Sequence, residues 1–284
     1  MFYGYSDMKK VLMHPARLLY HFLQQTDAGF RMLLVRFFYP LFLKIRSKEI
    51  ENLESLPVFV ISYNRLKYVR QTIRWLEERG HQNIIIIDNN SNYKPLLNYL
   101  EQINYKTFRL RSNWGHEVFF KNPRFFFMRN FHFFALTDPD VCPISECYND
   151  YMEKFINILN GEETLTKVGF SLKIDDLPDA YSLKDKVIEW EKHFYENGHY
   201  VDGVVQYKAN IDTTFAVYRP KIFWAYKNRF CAVRVGYPYQ LRHLPWYNIE
   251  RDNEDEYYCG TIRPDITNWN GNVSEKDLEK RLTR

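Results

Sequence analysis

Residues 56 to 110 alternate between short apolar runs and amphipathic stretches, and the chain is most legible there. Pro57-Val58-Phe59-Val60-Ile61-Ser62-Tyr63 has the length of a buried strand. Leu66–Arg79 follows with Val69, Ile73 and Leu76 at helical spacing, and Gly80 supplies the stop. Ile84-Ile85-Ile86-Ile87-Asp88 is apolar on both faces, as a central parallel strand is. Pro95–Ile103 reads as a second helix and Thr107–Leu110 as a third strand. This β-α-β-α-β order predicts a parallel, doubly wound sheet, whose ligands bind at the carboxyl ends of the strands. Asn64-Arg65 and Asp88-Asn89-Asn90 both fall at such ends.

Further along, Phe131–Thr137 is another apolar run, and it stops abruptly at Asp138-Pro139-Asp140. Two carboxylates leaving a buried strand are costly unless a cation or water compensates them, and Pro139 stiffens the turn between them. Mg²⁺ and Mn²⁺ favour oxygen ligands, commonly one or two carboxylates completed by water and substrate phosphates. The alternative for this D-x-D is a loop turn in which Asp138 caps the next element. Val168–Leu172 and Ile211–Arg219 read as strands, Lys184–Tyr195 as a helix, and Asp175-Asp176-Leu177-Pro178-Asp179 as an acidic loop.

Composition changes the picture mainly at the amino terminus. Of 39 Lys/Arg and 35 Asp/Glu, residues 1–50 hold eight and three, which leaves 31 against 32 for the rest. Val11–Leu23 and Arg31–Ile45 mix apolar and basic residues but are too interrupted to span a bilayer. They suit a helix lying on an anionic membrane through residues 1–48, or a helical pair packing on the main domain. The main domain lacks the spread of basic charge a nucleic-acid binder uses, so no nucleic acid is expected. Aromatic residues make up 18% of the chain, which we read as a Phe-rich core. Cys142, Cys147, Cys231 and Cys259 show no C-x-x-C spacing. With no cleavable signal pattern, the expectation is a cytoplasmic protein, peripheral at the inner face of the membrane.

The series Val58–Arg65, Ile84–Asp88 with Asn89-Asn90-Ser91, Asn113-Trp114-Gly115 and Thr137-Asp138-Pro139-Asp140 resembles the donor half of GT-A glycosyltransferases, most of all family 2 and its bacterial surface-polysaccharide relatives. The resemblance covers roughly residues 56–260. It implies an α/β, Rossmann-like GT-A fold with a mostly parallel central sheet flanked by helices, after an N-terminal helical segment at 1–50. Within a catalytic domain at 51–284 it implies a donor half at about 56–141, an acceptor half at about 142–260 and a tail at 261–284. The implied activity is metal-dependent transfer of a sugar from a nucleotide-diphosphate sugar, a UDP-sugar favoured, to a glycan or glycolipid acceptor in polysaccharide or lipopolysaccharide synthesis.

By that resemblance Tyr63, Asn64, Arg65 and Asp88 hold base and ribose, and Asn113 and Gly115 lie near the donor. Asp138 and Asp140 hold Mn²⁺ or Mg²⁺, with His243 completing the shell. Asp212 contacts the transferred sugar, or else faces water at a strand edge. Arg242 is a candidate phosphate clamp and Trp246 a candidate plane for a sugar ring. Glu254-Asp255 resembles the family's E-D acceptor motif, with Asp255 as base and Glu254 orienting the acceptor or its helix; the alternative is an acidic helix start. The usual glycine-rich approach to that motif is missing. A sugar nucleotidyltransferase would need a glycine-rich phosphate loop where Ser62-Tyr63-Asn64-Arg65 has no glycine. A non-catalytic membrane-attached module on the same fold is the third reading, and the retained acids argue against it.

Overall fold

The structure, a computed structural model, describes residues 53–162, 164–212, 214–221 and 232–262. The proposed membrane-facing segment at 1–48 and the tail from 263 lie outside the described residues. Among those described, no helix is long and apolar enough to cross a membrane.

Among the described residues, one mixed sheet of ten strands organises the fold. Its first half follows the periodicity closely: β1 (Val58–Ser62), α1 (Leu66–Glu78), β2 (Ile84–Asp88), α2 (Lys94–Gln102) and β3 (Lys106–Arg109). Gly80, at φ +81°, takes the left-handed conformation that ends α1. Strands β3, β2, β1 and β4 (Phe134–Thr137) lie side by side and parallel. The expected strand at 131–137 is shorter than its apolar run. Phe126–Phe131 instead forms α4, preceded by α3 (Val118–Lys121), so the Phe-rich stretch covers the sheet before joining it.

The second half reverses direction and returns. After β5 (Val141–Pro143) and α5 (Tyr151–Gly161) come β6 (Lys167–Leu172), α6 (Lys184–Lys192), β7 (His199–Val201), β8 (Val204–Lys208) and β9 (Ala216–Tyr218). Strand β9 is antiparallel to both neighbours and sits between β4 and β6. Its span is shorter than the expected 211–219. Strand β10 (Ala232–His243) runs parallel to β6 and antiparallel to β5 and β8, with a register shift between Val235 and Gln240. A last helix, α7 (Asn253–Thr261), closes the described chain.

Alternation along the strands splits the core into two layers. Val58, Val60 and Ala135 face α1 and α5 through Trp75, Leu76, Tyr151 and Phe155. Phe59, Ile61, Ile85, Phe134 and Tyr218 face Phe119 and Phe125 on the other side. Helices α1 and α2 close over Ile86 through Val69, Ile73, Leu96 and Leu100. All five residues of β1 and all five of β2 are buried, as strands covered on both faces must be. The result is an α/β fold with a mixed, largely parallel central sheet, compatible with a Rossmann-like arrangement. It brings the carboxyl ends of β1, β2, β4 and β10 to one rim.

Candidate functional site

At that rim the loop after β1 is organised by Asn64. Its backbone is left-handed, φ +50°, a conformation Asn tolerates better than most residues. Its Oδ1 accepts from the amides of Asn92 (2.8 Å) and Tyr93 (3.0 Å), and its Nδ2 donates to Asn92 Oδ1 (2.8 Å) and Thr261 Oγ1 (3.0 Å). With both side-chain polar atoms doubly engaged, Asn64 shapes the loop and its side chain has no bonding capacity left for a base or ribose. Tyr63 donates to the Thr261 carbonyl (2.9 Å) and packs edge-on against Tyr258.

Asp88 is different. It is fully buried at the end of β2, and Oδ1 accepts from the Ser91 amide (3.0 Å). Oδ2 has no hydrogen-bond donor, only an ion-pair approach from Arg109 Nε at 3.5 Å. Burial pushes its carboxyl above the usual range, against the opposing pull of Ser91 and Arg109. A buried acceptor without a donor is costly and marks a place where a ligand N–H or O–H fits. Beside it, Asn89 clasps the Asn113-Trp114-Gly115 loop. Its Oδ1 accepts from the Trp114 amide (2.9 Å), and its Nδ2 donates to Asn113 Oδ1 (2.9 Å) and the Gly115 carbonyl (3.0 Å). Gly115 sits at φ +73°, where a side chain would be strained.

The second acid of the D-x-D is the electrostatic centre. Asp140 Oδ2 lies 2.9 Å from Arg65 Nη1 and 3.6 Å from His243 Nε2. Burial alone would raise its pKa, but His243 and then Arg65 outweigh it and hold the carboxyl down at about 2. His243 reaches Asp140 because β10 pairs with β5 immediately after the D-x-D, His243 opposite Val141. Its Nδ1 is buried without a hydrogen-bond partner. Asp138 is half-buried on the same turn, close enough to influence the hydroxyls of Tyr218 and Tyr258. Asp212 also acts on Tyr218, so this exposed acid stands near the same rim.

Among the described residues, no three His, Cys, Asp or Glu side chains gather closely enough to cage a metal. A Mg²⁺- or Mn²⁺-type ion does not require a cage: one or two carboxylates, water and phosphate oxygens suffice. The convergence of Asp140 with the under-bonded imidazole of His243 fits that pattern.

Helix α7 brings the two candidate acceptor acids against the loop after β1. Glu254 accepts from the Lys67 amide (2.9 Å to Oε1, 3.3 Å to Oε2), so it caps the amino end of α1 from across the fold. Burial raises its pKa despite that bond. Asp255 has two attachments of different quality. Its Oδ2 accepts from Lys67 Nζ (2.8 Å), Asn248 Nδ2 (2.8 Å) and the Asp252 amide (3.3 Å), closing a capping box with Asp252. Its Oδ1 meets only Arg65 Nη2, at 3.5 Å. The helix-start reading of this acidic stretch is therefore realised along with its place at the rim.

Arg65 joins the two halves. Its guanidinium lies between the rings of Tyr68 (4.3 Å) and Tyr258 (4.2 Å) and touches both Asp140 and Asp255. The sequence reading placed Arg65 on base and ribose; the structure directs its charge to these carboxylates instead.

Two further expectations need correction. Trp246 is 1% exposed, with its ring 4.7 Å from that of His243. An enclosed indole offers no plane to a sugar; it backs the imidazole. Arg242 is tied to Asp176 through Nε (3.0 Å) and Nη2 (2.5 Å), and Tyr247 donates to the same carboxylate (2.5 Å). Both nitrogens meet the one oxygen Oδ2, so two of the three nitrogens of the proposed phosphate clamp are already engaged. Lys67, Asn89, Asn248 and Tyr258 were not anticipated. Asn89 alone had a signal, as part of the polar cluster that ends β2.

A separate cleft of about 250 Å³ opens where β2 begins, lined by Glu54, Arg79, His81, Asp150 and Glu153. None of the candidate site residues at the rim lines it. No protein-family model matches the chain, and no curated protein shows significant similarity to it.

Proposed function

We propose that this protein is a GT-A-type, family 2-like glycosyltransferase. It would move a sugar from a nucleotide-diphosphate donor, a UDP-sugar favoured, to a carbohydrate or lipid-linked acceptor at a membrane face. One observation carries the reading. Three differently equipped carboxylates share one rim: Asp88 with an open oxygen, Asp140 paired to His243, and Asp255 with a lightly held Oδ1.

In this reading Asp88 Oδ2 accepts a hydrogen bond from the nucleoside, and the Asn113–Gly115 loop lies alongside. Asp138, Asp140 and His243 would hold Mn²⁺ or Mg²⁺, which when bound supplies charge neutralisation for a departing diphosphate. Asp255 Oδ1 takes the proton of the acceptor hydroxyl as that oxygen bonds to the anomeric carbon. The bond from anomeric carbon to phosphate oxygen breaks, and nucleoside diphosphate leaves. Lys67 and Asn248 keep the other Asp255 oxygen fixed, so the Oδ1 lone pair turned away from Arg65 is presented in one direction. Asp212, four residues before β9, is the candidate contact for the transferred sugar.

The test has two stages. Calorimetry with UDP and GDP in the presence of Mn²⁺ should show binding, and a panel of nucleotide sugars should reveal one that is hydrolysed only with metal. Absence of binding by either nucleotide would remove the enzymatic reading and favour a non-catalytic module. Pyrophosphate release from a nucleoside triphosphate would replace it with a nucleotidyltransferase.

A further inference from the structure

Arg65 is one cation shared by two acids, and the sharing is unequal. The contact to Asp140 is 2.9 Å and that to Asp255 is 3.5 Å. Its Nε is buried with no hydrogen-bond partner. Saturated hydrogen bonding therefore does not hold this guanidinium in place. Besides its ion pair with Asp140, its Cζ packs 4.3 Å and 4.2 Å from the ring centroids of Tyr68 and Tyr258, contacts that fix no single direction for its nitrogens.

The oxygen it occupies is also the contested one. Arg65 Nη1 and His243 Nε2 both approach Oδ2 of Asp140. A divalent cation bonded to that oxygen would stand in van der Waals contact with a guanidinium at its present distance, and two cations that close repel strongly in a site shielded from water. A second partner is already at hand: Asp255 Oδ1 lies 3.5 Å from Arg65 Nη2 and is under-bonded.

We propose that Arg65 is the resident counter-ion of Asp140, that a divalent cation takes Asp140 Oδ2 by displacing it, and that the displaced guanidinium closes onto Asp255. Arg65 is then a positioning residue that ties cation occupancy on the donor side to the carboxylate on the acceptor side. The inference rests on the functional reading only in placing the metal at Asp140.

The test is Mn²⁺ affinity of the full chain without nucleotide, followed by the electron paramagnetic resonance of free aquo-Mn²⁺, with circular dichroism confirming the fold. Arg65→Met keeps volume between the two tyrosines but removes the competitor, so it should bind Mn²⁺ about tenfold tighter or better, as expected for losing one charged hydrogen bond. Arg65→Lys should fall between it and wild type. Asp255→Asn provides the opposite sign: with its landing site weakened, Arg65 leaves Asp140 less readily and Mn²⁺ binds more weakly. An Arg65→Met protein that is folded yet binds Mn²⁺ no more tightly, or an Asp255→Asn protein with unchanged affinity, would overturn the displacement while leaving the functional reading intact. Wild type that takes up no Mn²⁺ even with UDP or GDP present would remove the metal site itself.

Discussion

Replacing Asp140 by Asn probes fold and chemistry at once, and its cost can be worked in two ways. The side chain keeps its shape and loses its charge. Held at about 2 by His243 and Arg65 against the opposing effect of burial, the carboxyl lies roughly two units below its unfolded value. Such a difference corresponds to about 2–3 kcal/mol of stability at neutral pH. The second route starts from Arg65, whose own exposure is only 8%. Stripping a buried cation of its partner costs about 3–5 kcal/mol, and here the remaining Asp255 contact offsets part of it. Both routes give a destabilisation of about 2–3 kcal/mol, read as a lower urea midpoint with unchanged slope. Because the folded pKa is depressed, this stability is present above about pH 4 and is lost as pH falls toward about 2. The gap between wild type and Asp140→Asn should therefore narrow with acidification, and Mn²⁺-dependent donor turnover should vanish at neutral pH in a protein with native circular dichroism. A gap below about 0.5 kcal/mol at pH 7, within the range of an ordinary surface change, or one indifferent to acid, would refute the electrostatic account; undiminished turnover would refute the metal assignment.

Other outcomes follow from single contacts. Asp88→Asn should weaken UDP or GDP binding by about tenfold in calorimetry, the value of one charge-assisted hydrogen bond, with metal affinity unchanged. Gly169→Ala places a Cβ 2.4 Å from the Phe215 carbonyl and 2.6 Å from Ala216 Cβ, so it should separate β6 from β9 and cost more than about 3 kcal/mol in thermal unfolding. His81, bonded to Tyr151 and depressed to about 4 chiefly by burial and then by Arg79, stabilises the fold fully above about pH 6.5 and loses that contribution as pH falls through 4. In His81→Gln the part of the urea-stability slope between those pH values, worth about 3 kcal/mol in all, should disappear.

Local pattern carried the first half of the fold. The strands and helices from β1 to β3 appear within a residue or two of where periodicity placed them, because each is a regular element with one buried repeat. Pattern failed where tertiary context chose. The apolar run expected as a strand from Phe131 loses its first residue to a helix, Phe126–Phe131, in which Phe126 is buried and Phe127 exposed. Strand β10 is interrupted in sequence by Gly236-Tyr237-Pro238 and still continues through a bulge to His243. At the site, Asp88, Asp138 and Asp140 were legible from their positions after strands, and Glu254-Asp255 only through the resemblance. Their partners were not: Arg65 meets Asp140 and Asp255 across 75 and 190 residues of chain. Trp246 shows the same limit. An aromatic next to His243 reads alike whether it faces solvent or the core, and only the packing decides.

The reversed strand β9 has a consequence for how such a rim can diversify. Since Ala216 lies opposite Leu136 and Tyr218 opposite Phe134, what points toward the carboxyl end of β4 is the chain entering β9, not the chain leaving it. The loop carrying Asp212 thus arrives at the edge with no helix crossing over behind it. Its backbone is pinned where Lys167 Nζ and Arg234 Nε donate to the Ile211 and Asn210 carbonyls and Ile211 is buried, so exchanging the exposed Asp212 side chain costs the architecture less than changing the loop's length.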